Sequence, residues 1–186
     1  MDETVETQLL RRSRRGDHEA FDQLMQAHHE RVFRLACRLT GSADEADAVT
    51  QDTFVHAYCS LRQFKGRSRF MTWLYSIAVR KALDVRRERQ SDRETLPLAD
   101  PPADSRRSPA GGPSEALREK EFAGLLSDAI MKLPADQRAA LTLIVQEGLS
   151  YKEAARILSF PAGTVAWRVW KARQSLRDML ADYLEP

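Results

Sequence analysis

Prolines are concentrated in one short stretch of the chain, and this stretch divides it. Five of the eight prolines lie between Pro97 and Pro113, beside a glycine pair and mostly polar neighbours. Such a composition buries too little apolar surface to offset the conformational entropy that folding costs. The sequence therefore predicts three parts: a domain over residues 1–90, a flexible linker over residues 91–113 and a domain over residues 114–186.

On both sides of the linker, apolar residues recur every three or four positions, which is the period of an amphipathic helix. In the first half this pattern predicts three helices, whose inward-facing residues include Phe21, Leu24, Leu35, Val49, Phe54, Tyr58 and Ile77. In the second half it predicts four, and the last of these runs from about Thr164 to Tyr183. No strand-like alternation competes with this pattern. The expected fold class is therefore all-α, with two small helical domains.

Composition narrows the class of protein further. No stretch approaches the roughly 20 apolar residues that a membrane span requires. The first residues lack the basic and apolar segments of an export signal. Cys37 and Cys59 are the only cysteines, too few for a disulfide framework. These features predict a cytoplasmic protein without direct membrane insertion.

Positive charge is distributed unevenly. Residues 60–90 carry nine basic and two acidic side chains, whereas residues 1–59 carry seven and eleven. A second basic cluster, in the last predicted helix, consists of Arg168, Lys171, Arg173 and Arg177. Clusters of this kind attract a polyanion such as DNA, although a solvated helix face has the same composition.

The second basic cluster belongs to a recognisable arrangement of elements. Ser150 and Glu153 form a capping-box pattern that begins a short helix. A turn containing Gly163 follows, and then the long basic helix. This order predicts a helix-turn-helix, whose second helix enters the major groove of DNA. The alternative is a plain helical hairpin with basic residues on its surface.

Several motifs in both halves resemble regions 2 and 4 of the extracytoplasmic-function sigma factors, in the same order. In the second half these motifs are residues 133–138 (LPADQR), 149–158 (LSYKEAARIL), 161–165 (PAGTV) and 171–173 (KAR). In the first half they are Ala20, Phe21, Leu24 and residues 51–54 (QDTF), 64–66 (FKG) and 70–78 (FMTWLYSIA). Because the likeness covers both halves, it is more specific than a single helix-turn-helix.

The resemblance implies a promoter-recognition subunit that binds core RNA polymerase and promoter DNA, usually under the control of an anti-sigma factor. On the polymerase, it implies contacts with the clamp helices of the largest subunit and with the flap region. The residues implied for the clamp contact are Asp47, Gln51 and Asp52, with Phe54 packed behind them. Those implied for the −10 element are Phe64, Lys65, Arg67, Ser68, Arg80, Lys81, Asp84 and Arg87. Those implied for the −35 element are Thr164, Trp167, Arg168, Lys171 and Arg173.

Some positions depart from the family pattern. Ala48 stands where the family usually has an acidic residue, and Thr50 where it has an aliphatic one. Trp170 replaces a common histidine. Trp167 has three possible uses: apolar contact with a thymine methyl group, contact with a protein partner, or packing against the preceding short helix. Phe70 and Trp73 are expected in the core rather than stacked on bases.

The sequence contains no pattern that predicts catalysis, a metal or a cofactor. His28 and His29 are adjacent and so face different sides of a helix, without a cysteine at zinc-ligand spacing. The first rival hypothesis is a stand-alone DNA-binding regulator, which would normally dimerise. The second is an adaptor that binds only protein, which leaves the basic segment 60–90 unexplained.

Overall fold

The computed structural model describes residues 2–95 and 115–184, and all regular structure within these two ranges is helical. The N-terminal half contains α1 (Glu3–Ser13), α2 (His18–Thr40), α3 (Ala43–Ser60), a 3₁₀ turn (Leu61–Gln63) and α4 (Phe70–Thr95). The C-terminal half contains α5 (Glu115–Lys132), α6 (Ala135–Leu141), a π-helical turn (Thr142–Gln146), α7 (Tyr151–Leu158), α8 (Ala162–Met179) and α9 (Ala181–Leu184). The all-α expectation is confirmed.

Both ends of α2 follow from local chemistry. At its start, the Asp17 carboxylate accepts a hydrogen bond from the Ala20 amide at 3.0 Å, which satisfies one of the free donors of the first turn. At its end, Gly41 adopts a left-handed conformation with φ 79° and donates to the Cys37 carbonyl at 2.9 Å. Only glycine takes this conformation without steric cost.

Helix α1 was not predicted from the sequence. Asp2 caps it, and acidic residues in the first turn and basic residues in the last match the helix dipole. Only Leu9 and Ser13 are fully buried in this helix. Its apolar stripe is therefore short, which explains why periodicity alone did not reveal it.

Tyr58, which was predicted to face inward, is exposed, and so are three further apolar residues of the predicted helices: Leu125, Val145 and Met179. Tyr58 lies at the rim of the α2–α3 contact, where its ring packs edge-on against Phe21. Val145 falls in the π-helical turn, whose wider spacing rotates the residues that follow away from a helical face. Met179 ends α8, because the chain bends at Leu180 before α9.

In the N-terminal half, α2, α3 and α4 pack against one another, and α1 lies on α2. Their shared core includes Leu24, Leu35, Val49, Phe54, Phe70 and Leu74, all buried. Phe70 was predicted as a core residue, and the structure confirms this. Burial of these large apolar side chains is the main stabilising contribution to the bundle.

The two halves also contact each other. Helix α7 packs on α4, and α6 contacts both α2 and α4, so buried residues of both halves form one apolar cluster. The Met131 methyl group lies so close to Gly41 that a Cβ atom there would be 2.1 Å from it. Helix α4 continues into the first five residues of the predicted linker; the rest of that linker lies outside the described residues.

Candidate nucleic-acid interface

One face of α3 carries the polar side chains expected to contact polymerase. Asp47, Gln51 and Asp52 are all exposed. The Gln51 amide donates to the Asp47 carboxylate at 2.7 Å, and Lys81 of α4 forms an ion pair with Asp52 at 3.1 Å. Phe54 is buried behind this face. The helix therefore presents a short polar ridge on an apolar support.

Thr50, which departs from the family pattern, is fully buried. Its hydroxyl donates to the Ala46 carbonyl one turn earlier at 2.6 Å. A buried hydroxyl with a partner costs little, so threonine replaces an aliphatic residue here without leaving an unsatisfied group. Ala48 is exposed on the same helix.

The loop between α3 and α4 combines a buried anchor with an exposed tip. The Phe64 ring is buried and packs against Phe70 and Trp73, with ring centroids 5.7 and 5.0 Å away. Lys65 and Arg67 are exposed. Phe64 was expected among the −10 contacts, and its burial fixes the base of the loop while the following residues remain accessible.

Helix α1 supports this loop. The Arg14 guanidinium donates a hydrogen bond to the Phe64 carbonyl and lies 5.6 Å from the centre of the Phe64 ring. Arg14 was not predicted as a site residue, because α1 itself was not predicted. The basic last turn of α1 was the available indication.

A row of charged residues follows the loop along α4. Arg80 is exposed. Lys81 is paired with Asp52, and Arg87 forms an ion pair with Asp84 at 3.0 Å. Trp73 is only partly buried, at the edge of the aromatic cluster. These exposed ion pairs are weak, so the cations remain available to an approaching phosphate.

Helix α7 begins with the capping box that the sequence predicted. The Ser150 amide donates to the Glu153 carboxylate at 3.0 Å, and the Glu153 amide donates to the Ser150 hydroxyl at 3.3 Å. Hydrogen bonds from Ser150 lower the pKa of Glu153 below its usual value. The helix ends at Ser159, which has φ 57°, and α8 begins three residues later.

Helix α8 has one buried and one exposed face. Val165, Val169 and Ala172 are buried. Trp167 and Trp170 are 57% and 55% exposed, so neither indole packs tightly on α7. Lys171 and Arg173 are exposed, and Thr164 is partly exposed at the start of the helix. A helix with this division fits the second position of a helix-turn-helix.

Arg168 lies in a different environment from the other −35 candidates. Its side chain is only 15% exposed and forms an ion pair with Asp136 of α6 at 3.1 Å. The guanidinium carbon also lies 3.7 Å from the centre of the Phe160 ring. Arg168 therefore joins α8 to α6 and to the turn.

Within the described ranges the structure offers no metal site and no membrane-spanning helix. No three histidine, cysteine or acidic residues there come together as metal ligands. Cys37 is partly buried and Cys59 is exposed, and both are free thiols. No helix in the described part of the chain is long and apolar enough to cross a membrane.

Comparisons with known proteins agree with this geometry. Residues 24–92 match the family model for sigma-70 region 2, and residues 123–176 match that for sigma-70 region 4. The chain is 35% identical over 182 residues to the RNA polymerase sigma-H factor of Pseudomonas aeruginosa, covering 95% of this chain and 94% of that protein. It is 34% identical over 173 residues to the ECF RNA polymerase sigma-E factor of Escherichia coli, covering 90% of each.

The chain belongs to the extracytoplasmic-function sigma factors. As a sigma factor, it directs promoter-specific initiation of transcription. Region 2 lies in its N-terminal half, at residues 24–92, and region 4 in its C-terminal half, at residues 123–176.

Two solved structures share the fold of this sigma factor. The complex of CnrH with the cytosolic domain of CnrY gives a TM-score of 0.69 at 25% identity and covers 96% of this chain and 98% of that one. The complex of the sigma factor RpoE with the anti-sigma factor NepR from Bartonella quintana gives 0.65 at 25% identity, with coverage of 89% and 98%.

A buried histidine predicts a pH dependence of region 2. His28 of α2 pairs with Glu6 of α1 at 3.0 Å, and burial lowers the pKa of His28 despite that carboxylate. The unfolded chain therefore binds a proton more readily than the folded one. The contribution of neutral His28 to the free energy of unfolding is fully present above the unfolded pKa of about 6.5. This contribution is lost as the pH falls below that value.

We expect the urea midpoint of the wild-type protein to decrease between pH 7.5 and 5.5. His28→Gln should make this decrease smaller. His56→Gln, at an exposed position of α3, is the control and should follow the wild type. An equal decrease in all three proteins would show that His28 does not cause it.

Proposed function

We propose that this sigma factor binds core polymerase and recognises a two-part promoter through three separate surfaces. One face of α3 contacts polymerase, the loop before α4 and α4 itself meet the −10 element, and α8 meets the −35 element. Asp47, Gln51 and Asp52 supply the contact with the clamp helices, supported by the buried Phe54. Region 4 also meets the flap region. The observation that carries the proposal is the division of α8 into a buried apolar face and an exposed face with two tryptophans and two cations.

At the −10 element, the exposed tip of the loop holds a base that has left the stack. Lys65, Arg67 and Ser68 are the loop residues available for this. Unstacking a base costs a few kcal/mol, so a rigid support is needed, and the Phe64 and Arg14 contacts provide it. Arg80, Lys81 and Arg87 of α4 then attract the phosphates of the separated strand, with Asp84 orienting Arg87.

At the −35 element, α8 enters the major groove of the duplex. Thr164, Trp167, Lys171 and Arg173 meet the DNA, while Arg168 holds the helix in position through Asp136 and Phe160. The two elements lie about two turns apart, at roughly 34–36 Å per turn. Five of the 23 residues of the predicted linker continue α4, and the other 18 span at most about 60 Å. The linker and the length of α4 together are enough for that separation.

We also propose that an anti-sigma factor controls this sigma factor. Support comes from the similarity to RpoE, which was solved with the anti-sigma factor NepR. The protein acts in the cytoplasm, where polymerase and promoter DNA are present. In this proposal, polymerase supplies the chemistry.

In-vitro transcription with purified core polymerase tests this function. The chain alone should bind duplex promoter weakly, because each half is too small for a tight specific interface. Added to core polymerase, it should produce initiation at defined promoters. Nanomolar, salt-resistant binding to duplex DNA without polymerase would instead support a stand-alone regulator.

A further inference from the structure

Region 4 inserts one acidic side chain into a basic recess of region 2. Glu147 follows the π-helical turn, and its side chain is only 9% exposed. Its carboxylate accepts a hydrogen bond from Arg38 at 2.6 Å and a second from the Tyr75 hydroxyl. Arg38 belongs to α2 and Tyr75 to α4, so this one carboxylate joins region 4 to two helices of region 2.

The recess is suited to a carboxylate. Arg31, Arg34 and Arg38 lie along one side of α2 and line a small cavity together with Glu147. Arg38 bonds Glu147 directly, and Arg34 also forms an ion pair with Glu30 at 3.3 Å. Tyr75 is 1% exposed, so its hydroxyl has little access to water and needs a partner inside the protein. Burial and the adjacent carboxylate raise the pKa of Tyr75 well above its usual value, which keeps the hydroxyl protonated as a donor.

We propose that Arg31, Arg34, Arg38 and Tyr75 form a carboxylate-binding site on region 2, and that Glu147 occupies it to hold regions 2 and 4 together when the sigma factor is not on a promoter. These five residues together form the Glu147 clasp. The proposal rests on the proposed function, because that function requires the two regions to separate.

The geometry shows why separation is required. Helix α7 packs on α4, and α8 follows α7 after a three-residue turn. The −35 surface on α8 is thus joined to the −10 surface on α4 through α7, which contacts both helices. Two elements about two turns of DNA apart are separated by roughly 70 Å. While α4 and α7 remain in contact, the two surfaces do not reach both promoter elements at once.

The clasp is paired with a site where its opening can be measured. Cys37 of α2 lies in a groove whose opposite wall is α5, including Leu126 and Met131. Burial raises the pKa of the Cys37 thiol and slows its reaction. Cys59, on α3, is exposed and lies outside that groove, so it serves as an internal reference.

The test is alkylation of the full-length chain with iodoacetamide, with the modification of Cys37 relative to Cys59 measured by peptide mass spectrometry. Glu147→Gln removes the charge that Arg38 binds, and a hydrogen bond to a charged group contributes enough that its loss should raise this ratio about tenfold. Tyr75→Phe should raise it in the same direction. Glu121→Gln, an equal change at an exposed position of α5, should leave the ratio unchanged.

A charge exchange separates the clasp from general destabilisation. The double variant Arg38→Glu with Glu147→Arg should return the ratio toward the wild-type value, while each single change raises it. Far-ultraviolet circular dichroism of each variant shows whether the helices are retained. If Glu147→Gln loses helical content, the modification ratio of Tyr75→Phe tests the clasp instead.

An unchanged ratio in both Glu147→Gln and Tyr75→Phe would overturn the proposal, as would a double variant no closer to wild type than the single ones. The measurement uses neither polymerase nor DNA. A chain that fails to support initiation would therefore disprove the proposed function and leave the result on the clasp interpretable.

Discussion

Replacing Asp47, Gln51 and Asp52 together with lysine is expected to weaken association with core polymerase by about a hundredfold, because charge reversal across an interface costs several kcal/mol. All three side chains are exposed on α3. The ion pair between Lys81 and Asp52 is also exposed and contributes little to stability. The fold should therefore remain intact.

Competition with a second sigma subunit for a limiting amount of core polymerase measures this effect. A matched control replaces Glu19, Asp22 and Gln26, two acidic residues and one glutamine on the exposed side of α2, with lysine. The control has the same change in net charge and should compete like the wild type. Equal loss in both variants would attribute the effect to net charge, and unchanged competition with a normal melting curve would place the polymerase contact elsewhere.

Residues of α8 are expected to differ sharply in what their removal does. Arg168→Ala should destabilise region 4 by about 2 kcal/mol, since it removes a largely buried charge-assisted hydrogen bond and a contact with an aromatic ring. Initiation should fall more than tenfold, because α8 loses the ion pair that fixes its position on α6. Lys171→Ala should leave the melting temperature unchanged, because that side chain is exposed.

The effects on DNA distinguish Lys171 from Trp167. A cation that contacts phosphate affects every sequence equally, so Lys171→Ala should weaken binding uniformly and reduce the salt slope by about one. Trp167→Ala should instead change the preferred sequence, if its indole contacts a thymine methyl group. Holoenzyme activity on a series of −35 mutants, measured at several salt concentrations, gives both results.

Some outcomes would contradict this assignment of α8. If Lys171→Ala left both activity and salt dependence unchanged, the helix would not lie in the groove as proposed. If Trp167→Ala kept the wild-type sequence preference but weakened anti-sigma binding, the indole would belong to a protein interface. A normal melting curve for Arg168→Ala would show that its contacts do not hold α8.

The local features that the sequence predicted are those that depend on near neighbours. The cap at Ser150 was predicted correctly. It needs only a few adjacent residues, as do the cap at Asp17 and the left-handed Gly41. Tyr58 was placed wrongly because its position depends on how α2 meets α3. Periodicity identifies the apolar side of a helix, but it does not show how much of that side the neighbouring helix covers.

Among the site residues, the sequence indicated which residue types were present and the structure decided their accessibility. Phe64 and Arg168 were both expected at DNA, and their motifs give no indication of burial. Phe64 is covered because Phe70 and Trp73 pack against it, and Arg168 is held because α6 brings Asp136 beside it. Each of these contacts joins residues on different helices.

By itself, the sequence determined the all-α class, the order of the two regions and the amphipathic faces of α2, α3 and α8. The helical class and the faces follow from the period of the helix and from capping chemistry, which act over three or four residues. The order of the two regions follows from the resemblance of their motifs to the family. Only the tertiary structure decided that α1 supports the loop before α4 and that Glu147 reaches Arg38 and Tyr75. The residues of that last contact lie 109 and 72 positions apart in the chain, and only the packing of α6 and α7 on region 2 brings them together.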